Sequence, residues 1–150
     1  MHSVAVPAVD RFVAKDYFEV DTSAKAGVKI SYLSDNFKAH FLAKSEQNVP
    51  ATELKIYRLR EASRDVPILV ELGDNHETTL AYIWELLKKQ PNGEDGVLLQ
   101  NSYANIFYVS GTDDILWAVS VYWIVDGWRV ESESIGSPGR WRVGIRVFAR

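Results

Sequence analysis

Residues 115–134 read ILWAVSVYWIVDGWRVESES, and this stretch decides the fold. Two strand-like runs meet at Asp126-Gly127. That dipeptide is the strongest short hairpin signal, because a type I′ turn needs φ > 0 at both central positions. A two-residue turn there sets Val125 opposite Trp128, Trp123 opposite Val130, Tyr122 opposite Glu131 and Ser120 opposite Glu133. Upstream, Ser110-Gly111-Thr112-Asp113-Asp114 forms a loop joining 103–109 to 115–125, which makes a three-stranded antiparallel meander.

Strand side chains alternate between two faces, so the meander sorts its residues. One face gathers Phe107, Val109, Ile115, Trp117, Val119, Val121, Trp123, Val125, Trp128 and Val130. Each such side chain contributes ~1.5–3 kcal/mol when buried, which makes this the main core face. The other face is mixed, carrying Ala104, Ile106, Tyr108, Leu116, Ala118, Ser120, Tyr122, Ile124, Arg129, Glu131 and Glu133. It is too apolar for free exposure and too polar for a dry core. Beyond the hairpin, 142–150 alternates again, with Val143, Ile145 and Val147 on one side and Arg142, Arg146 and Arg150 on the other, as on an edge strand whose charges discourage pairing.

Between the meander and the N-terminus the period changes. Leu80, Ile83, Trp84 and Leu87 recur at helical spacing, with Asp74 or Asn75 as cap and Pro91-Asn92-Gly93 as stop, so the pattern predicts a helix over 76–90. Trp84 should be buried where this helix covers the sheet. Asp65-Val66-Pro67 opens a shorter helix that Gly73 ends. The first third reads as strands: 11–20, then 28–32 with Val28, Ile30 and Tyr32 on one face, 37–41 after a bulge or turn at Ser34-Asp35-Asn36, and 54–59 after Pro50. Together these predict an α+β domain spanning 1–150, with one or two helices between N-terminal strands and the C-terminal meander. Its mostly antiparallel sheet is expected to be strongly curved, closing towards a barrel.

Composition bounds the function. The 150 residues are 47% hydrophobic and 25% charged, as in ordinary globular proteins, and are tryptophan-rich, with 5 Trp, 7 Tyr and 6 Phe giving enough bulky apolar surface for a sizeable core. The net charge of −3 disfavours bulk electrostatic binding of nucleic acid. The absence of cysteine excludes disulfides, thiolate metal sites and thiol nucleophiles. No apolar run is long enough to span a membrane, and the N-terminus lacks the basic and apolar segments of a secretory leader, which fits a cytoplasmic protein. Charge is uneven: 65–95 holds seven carboxylates against two lysines, and 126–150 five arginines against three carboxylates.

Phosphate-loop, dinucleotide, zincin and nucleophile-elbow motifs are missing. Two histidines, His40 and His76, lie in different elements, so a metal site completed by Asp35 or Asp74 is not expected, and no cofactor is. The mixed face offers the best constellation: Tyr108, Ser120, Tyr122 and Arg129, with Glu131 and Glu133 ~7 Å apart by strand rise as acid/base candidates. Trp141 between Arg140 and Arg142 could stack on a ring and grip an anion, single-stranded nucleic acid included, or simply anchor a loop. The expected function is a non-catalytic binding domain, self-associating as a homodimer through the mixed face. The alternative is a small enzyme or binder acting there on a polar, sugar-like ligand. Because Arg129 shares the face, both glutamates are expected to stay ionised at neutral pH.

Overall fold

A computed structural model of the chain describes residues 2–150. Among the described residues, three α-helices accompany nine strands. The helices are α1 (Asp35–Phe41), α2 (Asp65–Leu72) and α3 (Leu80–Leu87). The strands are β1 (Ser3–Val6), β2 (Val9–Val13), β3 (Ile30–Leu33), β4 (Ser45–Val49), β5 (Thr52–Arg58), β6 (Asn105–Ser110), β7 (Leu116–Ile124), β8 (Gly127–Ser134) and β9 (Arg146–Ala149). Seven of them form one sheet in the order β1-β5-β9-β6-β7-β8-β3, while β2 and β4 pair as a separate antiparallel ribbon. Within the large sheet only β9 beside β6 and β3 beside β8 run parallel. The architecture is thus α+β and mostly antiparallel, with β6-β7-β8 as the meander. The expected barrel is not formed: the sheet is open, ends in β1 and β3, and is not strongly curled.

Each face of the sheet has its own core. Phe107, Val109, Val119, Val121, Trp128 and Val130 are buried on the first, as the alternation requires. Here α3 is buried nearly all round, including Leu80, Ile83, Leu86 and Leu87, because the β2–β4 ribbon lies beyond it. The second face buries Ile106, Tyr108, Ala118, Ile145 and Val147 beneath Ile68, Leu69 and Leu72 of α2. Ile115 and Val125, expected in the core, are exposed at the two ends of β7.

Local chemistry explains most element boundaries. Thr79 Oγ1 caps α3 by accepting from Tyr82 N at 3.2 Å. Glu46 of β4 adds a buried carboxylate that accepts from Leu80 N and Ala81 N, both at 2.9 Å, where the helix presents unpaired donors. The expected start at residue 76 is lost because Thr78 N donates to Tyr108 O at 2.8 Å, which sets Glu77 in a bridge beside β6 and separates α3 from the 3-10 turn at Gly73–Asn75. The short helix α2 begins at Asp65 and ends at Gly73, whose φ of 65° is cheap only for glycine, as expected from the sequence.

Four expectations fail here. Of residues 11–20, only those up to Val13 are strand, as part of β2, and Ala14–Asp16 form a 3-10 turn. Residues 37–41 form α1 instead of a strand, with Ser34 Oγ accepting from Phe37 N at 3.1 Å as its N-cap. A register irregularity between Ile30 and Tyr32 turns Tyr32 away from the core side held by Val28 and Ile30. Trp84 is only half-buried and packs on Tyr17 and Phe18, at ring separations of 5.3 and 5.4 Å, instead of against the sheet. No described helix is long and apolar enough to cross a membrane.

Candidate functional site

The hairpin that carries the site turns one residue earlier than Asp126-Gly127 implies, which shifts the cross-strand register by two. Ile124 pairs with Gly127, so Val125-Asp126 are the loop, and Asp126 N donates back to Ile124 O at 2.7 Å in a γ-type turn. Val125 takes the positive φ, 59°, and Gly127 does not. Glycine is needed at 127 for another reason: a Cβ there would meet Ser31 of the neighbouring β3 at 2.7–3.0 Å. The resulting register sets Ser120 opposite Glu131, Tyr122 opposite Arg129 and Ala118 opposite Glu133, correcting the expected pairs. Because the error is two residues, the assignment of side chains to faces survives it.

The loop between β8 and β9 folds back over the mixed face, and Trp141 fastens it. Trp141 and Ser63 exchange both backbone hydrogen bonds, at 2.8 and 3.1 Å. The Trp141 indole N–H donates to Asp65 Oδ1 at 2.6 Å, and the Tyr108 hydroxyl donates to the same oxygen at 2.8 Å. Asp65 is buried, and burial raises its pKa while the two hydrogen bonds oppose the rise. Burial and the adjacent Asp65 also push the Tyr108 phenol upward. Tyr108, expected to touch a ligand, is therefore a buried structural group. So Trp141 is the loop anchor, and one clamp holds α2, β6 and the loop together. Nothing local in the sequence links Asp65, Tyr108 and Trp141.

Between that loop and the exposed part of the face lies an open cleft of about 320 Å³, at the small end of ligand-pocket sizes. Ser120, Tyr122, Glu131 and Glu133 line its strand side, and Arg140, Trp141 and Arg142 its loop side. The structure thus brings together six of the eight residues singled out from sequence. Tyr108 is the first exception and Arg129 the second. Arg129 lies outside the cleft, its guanidinium 4.3 Å from the centre of the Tyr32 ring and 5.9 Å from that of Tyr122. Among the described residues it pairs with neither glutamate.

Glu131 is half-buried, and its Oε2 accepts a close hydrogen bond from the Tyr122 hydroxyl, diagonally across the strands. Its pKa is raised, first by burial and then by the like charge of Glu133. That shift runs against the expectation that Arg129 keeps both carboxylates fully ionised. Arg142 belongs to no edge strand: β9 starts at Arg146 and lies inside the sheet between β5 and β6. Gly144, at φ 95°, breaks the alternation expected over 142–150. The Arg142 guanidinium instead stacks over Tyr103 at 3.8 Å. Ser102 and Ile145 also line the cleft, and no local pattern in the sequence marks them, because they reach it only through the course of the chain around the loop.

Elsewhere, His40 stacks on Trp117 and approaches Asp113 at 3.4 Å, and His76 Nδ1 lies 2.7 Å from Gly73 O. A larger groove of about 870 Å³ lies between β5 and α2, with Ile68, Leu72 and Val147 on its floor. Its charged residues, Arg58, Arg60, Glu61 and Glu71, are all exposed. The cleft, by contrast, holds a half-buried, hydrogen-bonded carboxylate. The chain matches no protein-family model, no curated protein and no solved structure.

Proposed function

We propose that the protein is a non-catalytic binding domain that takes a small polar molecule in the cleft under the Trp141 loop. The observation carrying this reading is Glu131: a carboxylate partly withdrawn from water, oriented by Tyr122, and facing open space rather than a partner charge. An acceptor kept in that state binds a hydroxyl or ammonium donor more strongly than an exposed one, because less water competes for it. Trp141 supplies a fixed aromatic wall. Self-association through the mixed face would need its apolar centre, and α2 occupies Ile106, Tyr108 and Ala118. A ligand the size of the remaining cleft fits that arrangement better than a second copy of the chain.

The enzymatic alternative uses Glu131 and Glu133 as acid and base. The raised pKa of Glu131, caused by burial and the neighbouring charge, favours it. Glycosidic chemistry, however, requires carboxyls flanking the bond from two sides, and these two project side by side from one strand. Binding without turnover is the better reading. The test is an ¹⁵N-resolved titration of the chain with a panel of monosaccharides, polyols and amino acids. At least one should move the Trp141 indole N–H together with the amides of Ser120 and Glu131, and Glu133→Lys should abolish the response. A panel that leaves these signals unmoved overturns the reading.

A further inference from the structure

Resting on the cleft as the binding site, we infer that its ligand is a zwitterion: a small molecule with an ammonium group at one end and a carboxylate at the other. The cleft has walls of opposite sign. Glu131 and Glu133 stand on the strand side, Arg140 and Arg142 on the loop side, and no ion pair joins any two of them among the described residues.

Opposite charges lining so small a space would ordinarily close on one another. Here one member of each wall is held back by a contact of its own. The Tyr122 hydroxyl holds Glu131 against the sheet, and the Tyr103 ring holds the Arg142 guanidinium 3.8 Å from its centre. The loop that carries the arginines is itself fixed between them by Trp141, through Ser63 and Asp65. The walls therefore stay apart without a ligand and need little ordering to receive one, which favours affinity.

A molecule with both charges pairs with both walls, and its own dipole opposes the field of the cleft. A single cation would meet the glutamates but be repelled by the arginines, and a single anion the reverse. A neutral polyol would displace water from four charged groups and return only neutral hydrogen bonds, about half as strong as charge-assisted ones. Guanidinium forks suit a carboxylate at the loop end, and the glutamates suit a primary ammonium at the other.

The experiment follows the Trp141 indole N–H of the full chain during titration with glycine, β-alanine, 4-aminobutyrate and 6-aminohexanoate. Butylamine, butyrate and glucose serve as single-charge and neutral controls. One member of the series should bind best, its length matching the separation of the walls, and about tenfold more tightly than every control. Glu133→Gln and Arg140→Gln alter exposed side chains and should each weaken that member several-fold, while leaving the spectrum of the rest of the protein intact. A control that binds as tightly as the best amino acid overturns the zwitterion. So does binding of glucose alone, which would leave the cleft standing as a site for neutral ligands. If neither this series nor the broader panel moves the indole signal, the cleft reading falls with it.

Discussion

Replacing Gly127 with alanine adds one carbon at the closest approach of β8 to the edge strand β3. That carbon would lie 2.7 Å from Ser31 Cβ, 2.9 Å from Ser31 N and 3.0 Å from Ser31 Oγ, well inside the ~3.5 Å at which carbon contacts become favourable. The serine hydroxyl can rotate away, but the backbone nitrogen cannot, so β3 itself must shift. The adjoining link is the bond from Trp128 N to Lys29 O, 2.9 Å long, next to the Ile30–Trp128 pair. Overpacking of this kind costs ~1–3 kcal/mol, and involvement of the backbone places Gly127→Ala in the upper half of that range. Urea unfolding with an unchanged slope would measure it. Asparagine separates this cause from a turn requirement. If a left-handed φ were what demands glycine, asparagine would be milder than alanine, because it tolerates that region. Close approach makes asparagine at least as harmful. A loss below ~0.5 kcal/mol for alanine, or a milder asparagine, would show that β3 does not crowd residue 127.

Val125→Gly should stabilise the fold by roughly 0.5–1 kcal/mol, since it relieves a β-branched residue at φ 59° that is 88% exposed and buries nothing; a measured loss would contradict the turn geometry. Asp65, with its pKa raised in the folded state, contributes stability that is present below the ordinary aspartate range and lost as pH rises through the folded value. Asp65→Asn can still accept from Tyr108 and Trp141, so its unfolding free energy relative to wild type should improve as the pH rises from the ordinary aspartate range through the folded value, and a flat difference would show that burial does not perturb the carboxyl. Trp84→Ala should cost ~1–3 kcal/mol, short of the ~3–5 of a fully buried tryptophan, because the ring rests on Tyr17 and Phe18 and remains partly in water; a loss at the upper figure would place it in the core.

The sorting of residues onto two faces was legible in the sequence because alternation with period two depends only on parity. Even the misplaced turn left Trp128 and Val130 with the core, and Glu131 and Glu133 with Ser120 and Tyr122. Asp126-Gly127 misled because its glycine answers to Ser31, nearly a hundred residues away, and not to the turn. Phe37-Lys38-Ala39-His40-Phe41 satisfies both periods: Phe37 and Phe41 share a face at i, i+4 as readily as in a strand. Ser34 followed by Asp35 was the sign that could have decided for a helix. At the site, the strand wall was readable because it is one pleated surface. The loop wall was only half readable, since Trp141 and Arg142 stand out by composition while their position depends on Asp65 and Ser63. Long-range clamps of that kind leave no local periodicity.

The cleft is tested at its own carboxylate by titrating the Glu131 side-chain carboxyl carbon, with and without saturating amounts of the best-binding amino acid of the series. Without ligand its midpoint should lie above the ordinary glutamate range, because burial and Glu133 both disfavour the charged form. An ammonium group bound beside it favours that form, so the midpoint should fall when the ligand is present, and by linkage the ligand should bind more weakly as the pH drops through it. An ordinary midpoint, unmoved by ligand, would contradict the account and leave Glu131 a surface carboxylate.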